Sequence, residues 1–300
     1  MWKRLSILLI FPFWSCQPNA QNTTLKLTTA VVNYSIETVV PSLNNPWGMD
    51  WLPDGSLLIT EKNGTLLKYK DGVRQEITHE LPIYVRGQGG LLDVVVHPEF
   101  EKNNWIFLSF SSNLEGGSGG NTQLVRATLQ GRTLSEIKTL YKATPNTTRG
   151  QHFGSRIALD GKGHVYFSVG DRGNRDNNPQ ALNRDGGKIY RVHEDGSIPS
   201  TNPFYGQDNT KQAIYSYGHR NPQGLAFHPD TGVLWSHEHG PKGGDEVNII
   251  NAGKNYGWPE ITYGVNYSGT TITTRTTHPE MEQPIFYWTP SIAPCGMTFI

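Results

Sequence analysis

The chain has 300 residues, a formal net charge of zero and 17% charged residues. That length can bury a sizeable core as one large domain or two small ones, and the charge balance excludes an electrostatic footprint for nucleic acid. Glycine is abundant at 33 residues, beside 8 tryptophans and 13 tyrosines, which favours an all-β protein with many turns.

The first residues read as an export signal, residues 1–20. Trp2, Lys3 and Arg4 precede an almost wholly apolar run, residues 5–14, too short to span a bilayer as a stable helix. Phe13-Trp14-Ser15-Cys16 is similar to a bacterial lipoprotein box, which would place a lipid on Cys16. Cleavage after Ala20 is the alternative and leaves a soluble periplasmic protein. The expected location is the periplasm or the cell envelope, with the membrane engaged only through that lipid. Cys16 and Cys295 are the two cysteines, so removal or lipidation of Cys16 leaves no intrachain disulfide. Residues 21–32 read as a polar tether, and residues 33–300 as one β domain.

A unit then recurs: glycine, short strand, Pro/Asp/Gly turn, short strand. Gly48-Met49-Asp50-Trp51-Leu52-Pro53-Asp54-Gly55 leads into Leu57-Leu58-Ile59. Gly90-Leu91-Leu92-Asp93-Val94-Val95-Val96-His97-Pro98 leads into Trp105-Ile106-Phe107-Leu108. Gly154-Ser155-Arg156-Ile157-Ala158-Leu159-Asp160-Gly161 leads into Val165-Tyr166-Phe167, and Gly224-Leu225-Ala226-Phe227-His228-Pro229-Asp230 into Val233-Leu234-Trp235. Imperfect repeats of short strands, starting about 40 to 70 residues apart, predict a β-propeller. A β-sandwich predicts no such unit, and no long amphipathic helix supports an α/β fold. Pro294-Cys295-Gly296-Met297-Thr298-Phe299-Ile300 reads as a fifth repeat beginning, so the expectation is a C-terminally truncated propeller.

Three polar segments share one phase of the repeat, which predicts that they converge at one end of the propeller. They are Arg86-Gly87-Gln88-Gly89-Gly90; Arg149-Gly150-Gln151-His152-Phe153-Gly154 with Val169-Gly170-Asp171-Arg172-Gly173; and residues 218–224 with residues 239–246. His152 is the natural proton acceptor there, and Asp171 could fix its tautomer. Arg220 and Asn221 offer donors to an anionic or quinonoid ligand. Gly240, Pro241, Asp245 and Glu246 offer the oxygens that calcium prefers.

These stretches resemble the soluble quinoprotein glucose/sorbosone dehydrogenases, particularly the bacterial aldose sugar dehydrogenases. The similarity is carried in order by Asn45-Pro46-Trp47-Gly48-Met49, Arg86-Gly87-Gln88-Gly89-Gly90-Leu91-Leu92-Asp93, His152-Phe153-Gly154-Ser155-Arg156, and Gly218-His219-Arg220-Asn221-Pro222-Gln223-Gly224. It continues through His237-Glu238-His239-Gly240-Pro241-Lys242-Gly243-Gly244-Asp245-Glu246-Val247-Asn248, Asn255-Tyr256-Gly257-Trp258-Pro259 and Ala293-Pro294-Cys295-Gly296-Met297. The resemblance implies a six-bladed β-propeller that uses pyrroloquinoline quinone with calcium. It implies His152 as catalytic base, Asp171 as its orienter, and Gln88, Arg220 and Asn221 as quinone contacts, with Tyr263 facing the cofactor. Gly240 and Pro241 would give main-chain oxygens to the calcium that touches the quinone, and Glu246 and Tyr256 would belong to a second, structural calcium site. Ser155 stands where the resemblance leads one to expect glycine.

The implied activity is oxidation of an aldose at its anomeric carbon to a lactone, with an external electron acceptor. Two rivals are a calcium-dependent propeller lactonase, which needs no quinone, and a non-catalytic propeller that binds glycans or proteins. His237 and His239 share a strand face, as a pair of zinc ligands would, but no third ligand is evident, and they are read as structural. Asp50, Asp54 and Asp160 are read as turn formers, and Trp47, Trp51, Trp105 and Trp235 as inter-blade core.

Overall fold

The computed structural model describes residues 25–28, 33–114 and 116–299; the export signal, Cys16 and Ile300 lie outside the described residues. Two units are distinguished, residues 1–42 and residues 43–300. In the first, β1 (Leu25–Thr28) pairs antiparallel with β2 (Asn33–Ile36), with Leu25 opposite Ile36. Part of the segment expected as a tether is therefore paired strand.

The second unit is built from four antiparallel four-stranded sheets. The first holds β3 (Pro46–Trp51), β4 (Leu57–Glu61), β5 (Leu66–Lys70) and β6 (Val73–Ile77). The second holds β7 (Leu91–Val96), β8 (Trp105–Ser112), β9 (Asn121–Gln130) and β10 (Thr133–Lys142), with one helical turn, α1 (Phe100–Asn103), between β7 and β8. The third holds β11 (Ile157–Leu159), β12 (His164–Val169), β13 (Lys188–His193) and β14 (Ile214–Tyr217). The fourth holds β15 (Pro222–Phe227), β16 (Leu234–Glu238), β17 (Asp245–Ile249) and β18 (Phe286–Trp288). Each sheet keeps the chain order of its strands, the meander of a propeller blade.

Side-chain alternation along each strand decides which neighbour a residue meets. On β8, Ile106, Leu108 and Phe110 pack toward the first sheet with Leu58, Leu66, Leu91 and Val94, whereas Phe107 points the other way. On β12, Val165, Phe167 and Val169 join Phe107, Leu124 and Leu140 of the second sheet, whereas Tyr166 meets Leu225 and Leu234 of the fourth. Three apolar layers thus lie between successive sheets, so no blade buries both faces alone. The first strands β3, β7, β11 and β15 pack side by side.

Polar ties cross between these inner strands. Asp93 Oδ1 accepts from Arg156 Nη1 at 2.8 Å and its Oδ2 from the Ile157 N–H at 2.9 Å. Arg156 Nε donates to the Gln223 carbonyl at 2.9 Å, and its guanidinium lies 4.2 Å from the Trp47 ring centroid. Burial pushes the Asp93 carboxyl upward in pKa, against the pull of Arg156. Four sheets joined in this way rest on charge pairing as well as on apolar contact.

Three expectations are corrected. The resemblance implies six blades, and four are found among the described residues; residues 289–299 form no strand, so the segment read as a fifth repeat has no sheet of its own. Trp51 is 60% exposed rather than inter-blade core, beside Met49 at 68%. Both lie on β3, whose sheet has a described neighbour on one side only. Asp50 is not a turn former: its Oδ2 accepts the Val96 N–H at 2.7 Å and ties the first sheet to the second. Asp54 and Asp160 do close their turns, accepting from the backbone of Ser56 and of Lys162 at 2.8 Å each.

Candidate active site

The connections at one end of the sheets bring the polar segments together, and their close approach depends on glycine. A Cβ at Gly87, where φ is +58°, would stand 2.3 Å from the Gly150 carbonyl oxygen. The missing side chain lets the Gln88 N–H donate to that oxygen at 2.7 Å. Gln88 then reaches His152, whose N–H donates to Gln88 Oε1 at 2.7 Å.

His152 is held in a left-handed conformation, φ +57°, which costs free energy in a non-glycine residue. Its Nδ1 lies 2.7 Å from Asp171 Oδ1. Asp171 is buried and accepts further from the Gly173 N–H at 2.6 Å and from Trp258 Nε1 at 2.9 Å. Burial alone would raise the Asp171 pKa; the bonds from His152 and Trp258 and the charge of Arg220 outweigh it and hold the carboxyl below the ordinary aspartate value. An ionised Asp171 accepts a proton-bearing Nδ1 and leaves the lone pair on Nε2, the state a general base requires.

The depressed folded-state pKa has a sign. Asp171 contributes stability that is complete above the ordinary aspartate range and is lost as pH falls through the folded-state value. Asp171→Asn is therefore expected to flatten the acid limb of stability against pH below about pH 4. Denaturant melts across the acid range check this, and an acid limb identical to the parent's would remove the assigned charge.

Arg220 is held on three sides. Its N–H donates to Glu238 Oε2 at 2.5 Å, its Nη1 donates to the His239 carbonyl at 3.0 Å, and its guanidinium lies 5.4 Å from the Trp258 ring centroid. Glu238 also accepts from the Asn221 N–H at 3.2 Å and pairs with His219 Nδ1 at 2.8 Å, while His219 Nε2 meets Ser216 Oγ at 2.9 Å. One buried carboxylate thus sets the path of residues 219–221.

An open cavity of about 410 Å³ lies over these groups; its wall includes Gln88, His152, Asp171, Arg220, Pro241 and Trp258. That is within the usual size of a small-molecule site. Arg175 and Asp176 reach the cavity from the loop after Asp171. Asn266 and the 75% exposed Tyr267 reach it from the loop after Tyr263. Arg175 Nη1 donates to Asn266 Oδ1 at 2.7 Å and joins the two loops. A second void, about 10 Å³ and so sized for one water or ion, lies between Arg220, Glu238, Gly240, Glu246, Tyr256 and Trp258. Burial, then the facing Glu238, pushes the Glu246 carboxyl upward in pKa.

Five of the expected residues, Gln88, His152, Asp171, Arg220 and Pro241, therefore share the larger cavity. Gly240, Glu246 and Tyr256 share the smaller one with Arg220. Tyr256 stacks on His219 at 4.6 Å, and its hydroxyl donates to the Ile249 carbonyl at 2.6 Å. Three expectations differ. Asn221 lines neither space; its Oδ1 accepts the Gly154 N–H at 3.1 Å behind His152. Asp245 lines neither; its oxygens accept the N–H groups of Gly240, Ile292 and Ala293 at 2.7–2.8 Å, fastening two loops. Tyr263 is in the wall of neither space; its ring stacks on Tyr287 at 3.8 Å. His239 Nε2 bonds the Pro294 carbonyl at 2.8 Å, in keeping with a structural histidine. Ser155, at φ +80°, adopts a conformation that favours glycine and is held there by its own N–H to the Ser168 carbonyl at 2.7 Å.

Sequence reasoning missed Trp258, Arg175, Asp176, Asn266 and Tyr267. Trp258 lay inside a quoted motif, but nothing in Gly-Trp-Pro tells a buried core indole from one that bonds Asp171. Arg175 and Asp176 follow the quoted segment Val169-Gly170-Asp171-Arg172-Gly173 and belong to no quoted motif.

The histidine–aspartate pair and the arginine beside it place a candidate general base and a fixed cation in one cavity at the loop end of a β-propeller. The glucose/sorbosone dehydrogenase family model matches residues 43–300, and the chain belongs to that family. It is 38% identical over 285 residues to the aldose sugar dehydrogenase YliI of Escherichia coli K12, an alignment covering 91% of this chain and 75% of that protein. The crystal structure of the soluble E. coli aldose sugar dehydrogenase in its apo form superposes with a TM-score of 0.81 at 38% identity, covering 85% of this chain and 75% of that one. The PQQ-bound aldose sugar dehydrogenase of Streptomyces coelicolor superposes with a TM-score of 0.72 at 29% identity, covering 93% and 76%.

Proposed function

We propose that this protein is an exported dehydrogenase that oxidises aldose sugars at the anomeric carbon to lactones, with pyrroloquinoline quinone and calcium as resident groups. The observation that carries the reading is the His152–Asp171 pair at 2.7 Å in the wall of a cavity that Arg220 and Gln88 also line.

The residues present fit both groups. The quinone carries three carboxylates, which need cationic or hydrogen-bonding partners. Arg220, Arg175 and Gln88 supply them in this cavity. The smaller void joins Glu238 and Glu246, two carboxylates that repel each other and that a cation would reconcile. Gly240 and Pro241 would hold the calcium that touches the quinone. Glu246 and Tyr256 would stand at the second calcium.

When bound, the quinone supplies the two-electron acceptor and calcium the Lewis acid that polarises it. The protein's own part is proton transfer and placement. His152 takes the proton of the anomeric hydroxyl on Nε2, and Asp171 stabilises the resulting imidazolium through Nδ1. Trp258 and Gly173 keep the Asp171 carboxylate aimed at that nitrogen. Arg220, fixed by Glu238, the His239 carbonyl and Trp258, holds positive charge against the anionic ligand without reorganising. Release to the periplasm, or a lipid on Cys16, would place the enzyme outside the inner membrane.

Purified protein supplied with calcium, quinone, an aldose and a reducible dye tests the reading, and dye reduction that requires both quinone and sugar is expected. Hydrolysis of a lactone without quinone would replace it with the lactonase reading. Neither activity would leave a binding propeller.

A further inference from the structure

We propose that Arg172 is a positioning residue: its buried guanidinium fixes the strained turn at His152 and thereby holds the imidazole against Asp171. This rests on His152 being the base. Arg172 is 0% exposed and heads the fully buried side chains by volume. Its Nη2 donates to the Arg149 carbonyl at 2.8 Å, to the Gly120 carbonyl at 3.2 Å and to Thr147 Oγ1 at 3.2 Å; its Nη1 donates to the Gln151 carbonyl. The guanidinium carbon lies 3.4 Å from the Phe153 ring centroid.

These partners have a pattern. Arg149, Gln151 and Phe153 bracket His152, so the guanidinium grips the peptide units that carry the base. Thr147 lies on the same β10–β11 connection as His152, whereas Gly120 lies between β8 and β9, so the same group anchors that grip to the β8–β9 connection of the second sheet. Arg172 follows Asp171 directly in sequence. One short segment therefore orients the imidazole through its carboxylate and orients the backbone of the same residue through its guanidinium.

Its burial also has an electrostatic side. No carboxylate forms an ion pair with Arg172 among the described residues, its Nε has no partner there, and burial pulls its pKa down to about 9. An apolar side chain of similar volume would avoid desolvating a cation. What it could not do is donate to four acceptors on two segments while setting φ +57° at His152. The ammonium of lysine keeps the charge but is a compact donor that cannot span the same acceptors in one plane.

The test compares the full chain with its Arg172→Lys and Arg172→Gln variants. Turnover and KM for an aldose are measured with quinone and calcium present, quinone affinity is titrated, and melting is followed. The strongly deshielded Nδ1 proton of a histidine bonded to carboxylate, assigned by its loss in Asp171→Asn, is read by NMR. Arg172→Lys is expected to lower kcat about tenfold, with KM and quinone affinity within about twofold, and to weaken the deshielded signal. Arg172→Gln should lose more kcat than Arg172→Lys. If Arg172→Gln does not fold, Arg172→Lys decides. An Arg172→Lys kcat within about twofold of the parent overturns the proposal, even with a lowered melting temperature, because the role is then structural only. Should the parent show no aldose turnover, the proposed function fails by itself. The NMR signal still judges Arg172: its loss in Arg172→Lys upholds the positioning role, and its retention overturns it.

Discussion

His152→Ala is expected to lower aldose turnover by about 10²–10⁴-fold, the usual contribution of a positioned general base. Melting and quinone affinity should change little. The side chain stands at the cavity wall, and the backbone bond to Gln88 does not depend on the imidazole. The Asp171 carboxylate would lose the His152 bond but keep those from Gly173 and Trp258 and the nearby charge of Arg220, so the buried charge keeps partners. Steady-state kinetics beside a quinone titration separate the effects. A variant that keeps more than about a third of parental turnover would take His152 out of the catalytic role.

Removal of calcium is expected to abolish aldose oxidation and to lower the melting temperature together, for two different reasons. Turnover would be lost at the ion held by Gly240 and Pro241, next to the quinone. Stability would be lost because an ion that binds only the folded protein adds about 2.7 kcal/mol at a hundredfold excess over its Kd. In the second void that contribution also relieves the repulsion between Glu238 and Glu246. Glu246→Gln should therefore blunt the melting response to chelator while leaving most turnover in saturating calcium. Melting and turnover both indifferent to chelator would rule calcium out of each place.

Legibility differed between kinds of residue. The blades could be read because a strand packed between two sheets is apolar on both faces, as in Leu57-Leu58-Ile59 and Ile106-Phe107-Leu108, and because the turns at Pro53-Asp54-Gly55 and Asp160-Gly161 carry their own chemistry. His152 and Asp171 could be read because few roles suit both residue types at one phase of a repeat. Asn221 could not be separated from a ligand contact: an amide that supports the Gly154 backbone and one that meets a ligand are alike in sequence. Tyr263 was open to the same confusion, since only the fold shows Tyr287 stacked on it. The sequence places Trp51 in the core because a tryptophan on the first strand of a repeat suits an inter-blade layer. Whether a layer exists there depends on a neighbouring sheet, which local pattern does not encode.

The meander of each sheet has a consequence for how the chain reaches this structure. Every strand of the four sheets pairs only with strands next to it in sequence, and each apolar layer joins sheets that follow one another. Such a chain resembles a one-dimensional array, in which stability is passed between nearest neighbours and folding can propagate from any completed unit. As the chain emerges, the first sheet would be whole once Ile77 is out, and its layer against the second once β10 is, before Asp171 has emerged. The Gln88 and His152 loops would then wait on a formed wall for the third and fourth sheets to deliver Asp171 and Trp258. Catalytic competence should therefore arise late and abruptly in biogenesis, after most of the native secondary structure is in place.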